Sequence, residues 1–220
     1  MEHPVLIRIR AEAFTPLGWF ETAGGDLLPE NTRFVILIGN AGPAMFRRFA
    51  RERDPLRHAM DDWTRDVVIP MAEDLGAQAV FAFDSPPRPF LTWARKAQAG
   101  HVSPLGLNIH PIYGLWHAYR AALLFPVVFD LPRTSAGAHP CESCASKPCL
   151  SSCPVGAFDG QSYNLKACGQ HIMSDAGHQC LSGGCLARLA CPVGKSYEYT
   201  PPQKQFHMRA FLAARQKELP

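Results

Sequence analysis

The sequence predicts an α+β protein in two parts: a mixed domain over residues 1–130, then a small cysteine-rich domain over residues 138–200 that leads into a C-terminal helix over 201–220. Three observations predict this. Short apolar runs alternate with stretches of helical periodicity through the first 125 residues. All eight cysteines fall between Cys141 and Cys191, with none in residues 1–140. The junction DLPRTSAGAHP, residues 130–140, carries the Pro, Gly and Ser that interrupt helix and strand patterns alike. A hydrophobic fraction of 47 % is ample for a buried core.

Taken in order, RFVILIGN is a continuous apolar run ending at Gly39 and reads as a buried strand, as does AQAVFAFD ending at Asp84. Between them, PAMFRRFARER and PLRHAMDDWTRDVVIPMAEDLG space their apolar residues as helices do. Pro55 suits a first helical turn and Gly76 a C-terminal cap. A further helix, RPFLTWARKAQ, precedes Gly100. By periodicity GLWHAYRAALLF is either strand or helix. The tail TPPQKQFHMRAFLAARQ reads as a helix capped by Thr200, with prolines in its first turn.

Net charge is only +3 and the basic residues are scattered through mixed stretches such as RERDPLR, so no nucleic-acid partner is expected. The segment MEHPVLIRIRAEAF has no basic stretch followed by an apolar run, and no apolar run reaches the length of a membrane span. A cytoplasmic protein with no membrane partner is expected, its oligomeric state open. In a reducing compartment eight cysteines point to metal or redox chemistry rather than to four disulfides.

Cys141, Cys144, Cys149 and Cys153 follow C-x2-C-x4-C-x3-C-P, close to the bacterial ferredoxin run, whose fourth cysteine serves the other cluster of a pair. The second set is Cys168, Cys180, Cys185 and Cys191, and CPVG occurs both at Cys153–Gly156 and at Cys191–Gly194, a diverged internal repeat. The gaps depart from the ferredoxin spacing of two: four residues precede Cys149 and Cys185, and five precede Cys191. All-cysteine zinc sites are the alternative, because thiolate quartets also suit tetrahedral zinc. One cluster with four spare cysteines is another. The likeness to ferredoxin, in which the pairs cross over, implies a bacterial-ferredoxin-like domain with two [4Fe-4S] clusters. Cys141, Cys144, Cys149 and Cys191 would hold one, and Cys153, Cys168, Cys180 and Cys185 the other. Two such clusters form an electron relay, and a relay needs an acceptor and a donor. The donor is unidentified.

The segment from Phe83 to Phe125 concentrates His101, His110 and His117 with Trp93, Tyr113, Trp116 and Arg120. Residues of these types are as often packing or surface groups as parts of a site. The stretches FTPLGWF, GPAMFRRF, RPFLTWARKAQAGHV and IHPIYGLWHAYRAALLF resemble the CblC-type cobalamin-processing chaperones over residues 14–125. That resemblance implies a flavin-nitroreductase-like fold and a base-off corrinoid, here cobalamin. His101 and Arg120 match positions at the cobalamin and its co-substrate. His110 and Pro111 belong to the same signature, and Gly114 and Trp116 form the wall. The connection from His101 to His110 is much shorter than in that family.

The order of domains and the cysteine pattern also resemble epoxyqueuosine reductases and reductive dehalogenases. In the former an aspartate in a similar setting donates a proton, and Asp84 in DSPP is similar to it. As a residue type in that position, Asp84 is otherwise a turn or cap residue. The expected function is an iron–sulfur, corrinoid-binding reductase that reduces cobalamin or removes its upper ligand. The alternatives are a cobalamin-dependent reductase of a small molecule or nucleoside, and a ferredoxin-type carrier whose first domain docks a partner. FMN is the remaining cofactor option for such a fold, although no Gly-rich phosphate loop supports it.

Overall fold

The computed structural model describes residues 2–23, 28–53, 59–135 and 137–216. In chain order the first elements are α1 (Pro4–Ala11), β1 (Thr15–Glu21), β2 (Phe34–Ala41), α2 (Ala44–Glu52), α3 (Met60–Asp74), β3 (Gln78–Phe81) and α4 (Phe90–Lys96). There follow β4 (His101–Val102), β5 (Asn108–Ile109), β6 (His117–Phe125), α5 (Pro148–Ser151) and α6 (Leu165–Met173). The chain ends with α7 (His178–Gly183), α8 (Leu186–Leu189) and α9 (Pro201–Gln216). Pro55, expected in a first helical turn, and the last residues of the expected 201–220 helix lie outside the described residues.

Two compact units form. One comprises residues 1–100 and 117–136, the other 101–116 and 137–220. The boundaries therefore differ from those expected. The segment 101–116 groups with the cysteine-rich residues, and α9 is part of that unit rather than a separate tail.

The first unit is an antiparallel sheet in the order β1-β2-β6-β3. Its central strands β2 and β6 are apolar without alternation because both are buried: Val35, Ile36, Leu37 and Ile38 on β2 and Ala121 to Leu123 on β6 are fully enclosed. Helices α1 and α4 pack on β1, α2 on β2, and α3 on β3 and β6. The cap of α3 behaves as its glycine predicts. Gly76 takes φ of 67°, and its N–H reaches the Glu73 carbonyl at 3.0 Å.

One irregularity positions a side chain. Between β2 and β6 the register moves from Ile38↔Ala121 to Gly39↔Tyr119, so Arg120 is the extra residue of a bulge. Gly39 permits the close approach, since a Cβ there would overlap the Ala118 carbonyl.

The second unit has little regular structure. Strands β4 and β5 form a two-residue ladder, and its helices before α9 are short. Its interior is built from Leu105, Ile109, Leu115, Ala157, Phe158, Ala187 and Cys191, with Cys141, Cys149, Cys153, Cys168, Cys185 and Tyr163 packed against them. Thiols thus take the place that branched aliphatic side chains fill in an ordinary core. Among the described residues no helix is long and apolar enough to cross a membrane.

Candidate functional site

All eight cysteines are free thiols, Cys180 and Cys191 buried and the others half-buried. They sort by mutual electrostatics into two sets. Burial raises the Cys141 thiol above its ordinary pKa, and Cys191, Cys149 and Cys144 raise it further. Cys149 is likewise raised by burial and then by Cys191 and Cys144. Burial also raises Cys168, Cys180 and Cys185. There the like-charge neighbours are Cys153 for Cys168, Cys153 and Cys168 for Cys180, and Cys168 and Cys180 for Cys185. The chain supplies each set from separated stretches. The run after Pro140 contributes three thiols to the first set, and Cys191 comes from the second CPVG.

Cys153, Cys168, Cys180 and Cys185 line one cavity of about 250 Å³ together with Tyr163 and His171. These thiols surround a space rather than converge on a point. Among the described residues no three His, Cys, Asp or Glu groups are placed to hold a single metal ion. Backbone amides are directed at the sulfurs: the Ala157 N–H donates to Cys153 Sγ at 3.3 Å, and those of Ala187 and Arg188 to Cys185. Amides and an apolar wall suit a polynuclear, sulfur-rich anionic group, because the amides disperse its negative charge. The lining of this cavity therefore fits an iron–sulfur cluster.

Helix α6 brings Cys168 into this wall. It starts where Asn164 accepts the Ala167 N–H at 2.9 Å, and Cys168 and His171 then fall on one helical face. Tyr163 stacks on Phe158 at 4.4 Å and 14°. Burial first, and then its hydrogen bond to Cys168, raise the Tyr163 hydroxyl well above the tyrosine range. Neither Tyr163 nor His171 carries a sequence signal of its own.

The histidine-rich segment divides between the units. His101, His110, Pro111, Gly114 and Trp116 lie in the second, Arg120 and Asp84 in the first. His101 is half-buried and stacks on His139 at 4.5 Å and 11°. The Nδ1 of His139 in turn accepts the Cys141 N–H at 3.3 Å. A near-contiguous path of rings and one hydrogen bond thus joins His101 to the first cysteine set.

His110, Gly114 and Trp116 are engaged inside their own unit. His110 Nδ1 accepts the amides of Ile112 at 3.0 Å and Tyr113 at 3.3 Å, and burial lowers the imidazole pKa to about 4, so the ring is neutral near pH 7. Gly114, at φ of 57°, lies against the second CPVG turn, where a Cβ would overlap the Val193 carbonyl. Trp116 is 1 % exposed. The Arg188 guanidinium lies 4.6 Å from both the Trp116 and Tyr199 rings, and its Nε donates to the Leu115 carbonyl at 3.0 Å. Gly114 and Trp116 are thus packed against Val193 and Arg188 of their own unit. Pro111 is half-buried beside them.

In the first unit the bulge presents Arg120 to Asp61, with which it forms an ion pair, and to Thr64 Oγ1 at 3.4 Å. Its Nε is buried with no hydrogen-bond partner among the described residues. Asp84 accepts from Arg65 at 2.7 Å and from the Phe81 N–H at 2.8 Å. Partial burial would raise its carboxyl. The Phe81 amide and the Arg65 guanidinium outweigh that and hold it below the ordinary carboxylate range. In this arrangement Asp84 is held as a hydrogen-bond-accepting carboxylate.

No protein-family model matches the chain, and no curated protein matches it in sequence. Several solved structures share its fold. Epoxyqueuosine reductase from Streptococcus thermophilus is 15 % identical with a TM-score of 0.56, over 89 % of this chain and 66 % of its own length. A second, selenomethionine-labelled epoxyqueuosine reductase is 15 % identical with a TM-score of 0.51, over 90 % of this chain and 68 % of its own. The C. elegans B12-trafficking protein CblC, a homologue of human MMACHC, is 14 % identical with a TM-score of 0.50, over 94 % of this chain and 91 % of its own. The chain thus spans just under two thirds of the length of the S. thermophilus reductase. At these identities the likeness is one of fold.

Proposed function

We propose that this chain is an iron–sulfur, corrinoid-binding reductase that passes electrons to cobalamin. The observation that carries the reading is the sorting of eight thiols into two sets inside one unit of a fold shared with epoxyqueuosine reductases and a B12-trafficking protein. Cys141, Cys144, Cys149 and Cys191 would hold one [4Fe-4S] cluster, and Cys153, Cys168, Cys180 and Cys185 the other. When bound, the clusters supply single electrons at low potential and the corrinoid supplies the cobalt chemistry.

In this reading the first set, tied through His139 to His101, the position that resembles a corrinoid contact, would pass electrons to the corrinoid. The second set, which His207, Met208 and Phe211 of α9 help to enclose, would receive them from the donor. His110, Gly114 and Trp116 hold the segment that carries His101 in register. Arg120 and Asp84 are the polar groups that the first unit would offer to a ligand. To donate a proton, Asp84 would have to leave its ion pair with Arg65 and take up a proton from the bound substrate or solvent.

Anaerobic purification tests the reading. About eight iron and eight sulfide per chain are expected, and cob(III)alamin or cob(II)alamin added to the reduced protein should change its visible spectrum towards a lower oxidation state. Zinc without sulfide would overturn the cluster assignment. A brown protein that leaves every cobalamin spectrum unchanged would leave only the electron-carrier reading.

A second reading, favoured by the likeness to epoxyqueuosine reductases, is a cobalamin-dependent reductase of a modified nucleoside. Scattered basic residues do not exclude an RNA-borne nucleoside, because net charge reports long-range attraction and a local site needs only a few cations. Loss of the epoxide from epoxyqueuosine-containing RNA, against a control lacking cobalamin, separates this reading from the first.

A further inference from the structure

From the wall of the second cysteine cavity we infer that Tyr163 and His171 are the hydrogen-bond donors that raise the reduction potential of the group held by Cys153, Cys168, Cys180 and Cys185. This rests on the cluster assignment proposed above, but it concerns residues that neither the cysteine spacing nor the fold comparisons single out.

His171 Nε2 is buried with no hydrogen-bond partner among the described residues, and its ring lines the same cavity as the four thiols. A buried polar atom without a partner is costly, so a partner supplied from within the cavity accounts for its placement. Sulfide and thiolate sulfur are acceptors of the right kind. Tyr163 reaches the same space from the opposite sequence direction. Its ring is fixed by stacking on Phe158 at 4.4 Å and by Phe211 at 6.5 Å, and it lines the cavity together with Cys168.

Both donors are therefore pre-positioned. Reduction adds one negative charge to a cluster, and donors directed at its sulfurs stabilise that state more than the oxidised one, which moves the potential upward.

The test is a potentiometric titration of the full-length, cluster-loaded protein, followed by electron paramagnetic resonance. Tyr163→Phe and His171→Leu should each move the same one of two one-electron steps to more negative potential. At fixed potential the reduced-to-oxidised ratio should fall roughly three- to tenfold, and a tenfold fall corresponds to about 59 mV. His171→Gln, which keeps a donor, should recover most of the shift. Iron and sulfide content should stay at the wild-type level throughout. Should His171→Leu fail to load, Tyr163→Phe and His171→Gln carry the test. Unchanged potentials in a fully loaded Tyr163→Phe protein would overturn the inference while leaving the cluster assignment intact. A wild-type protein without iron and sulfide would remove both. Two normal clusters that never reduce cobalamin would remove only the corrinoid half of the proposed function.

Discussion

Gly114 shows how much can depend on one missing side chain. Its positive φ and the Val193 carbonyl against its α-carbon leave no room for a methyl group. Gly114→Ala should cost about 2–4 kcal/mol, from backbone strain and overpacking together. Thermal unfolding of the cluster-loaded protein would show it as a lower midpoint for the second unit. If Gly114 served only as a cofactor wall, the midpoint would stay put and corrinoid affinity alone would fall.

Asp84 gives a pH prediction with a definite sign. Its folded-state pKa lies below the unfolded value, so its contribution is present above the unfolded pKa, about 3.9, and is lost as pH falls through the folded one. Asp84→Asn should destabilise the first unit by about 0.5–1 kcal/mol at pH 7, a figure kept small by partial exposure of the Arg65 pair. The difference from wild type should shrink below about pH 4. Urea unfolding at the two pH values checks it. A difference that grows in acid would mean that Asp84 is buried as the neutral acid.

At the scale of elements, the long uniform runs were legible and the punctuated ones were not. β2, β3, α2, α3 and α4 follow from apolar spacing, because burial on both sides of the sheet leaves a continuous apolar signature. β6 was ambiguous between helix and strand. What decides it is pairing with β2 and β3, information that lies far away in the chain. α1 and β1 carried no clear signal: β1 contains Pro16 and Gly18, and its ladder is irregular between Pro16 and Trp19, where a regular pattern would have been needed. In the site, the cysteine spacing pointed to the sulfur chemistry. The burial of an unpartnered His171 nitrogen is a property of three-dimensional packing that no spacing encodes. Helix α6 offers an element-scale test. Asn164→Ala removes the cap that accepts the Ala167 amide and should cost about 1 kcal/mol. Because Cys168 lies on this helix, the loss should appear as faster release of iron to a chelator from one cluster and not the other. Equal release from both would argue against the division of thiols.

At the scale of the whole molecule, the two units draw stability from different sources. The first has a conventional core around β2, and Leu37→Ala there, at a fully buried site, should cost about 2–5 kcal/mol. The second has thiols in its interior, so under the proposed cluster assignment bound metal would be part of its folding free energy. Calorimetry should show a transition lowered by Leu37→Ala with iron content unchanged, and another lost when iron is removed by a chelator under anaerobic conditions. A single transition insensitive to chelation would contradict this account.

The chain passes from one unit to the other after Gly100, returns after Trp116, and passes again near residue 136. The sulfur-bearing half is thus discontinuous in the gene. A fragment beginning at the Pro- and Gly-containing junction would lack Leu105, Ile109 and Leu115, which line its interior. Swapping this half between proteins by end-to-end fusion would therefore yield an incompletely folded product. Its inheritance as a working part requires that an internal stretch travel with the tail.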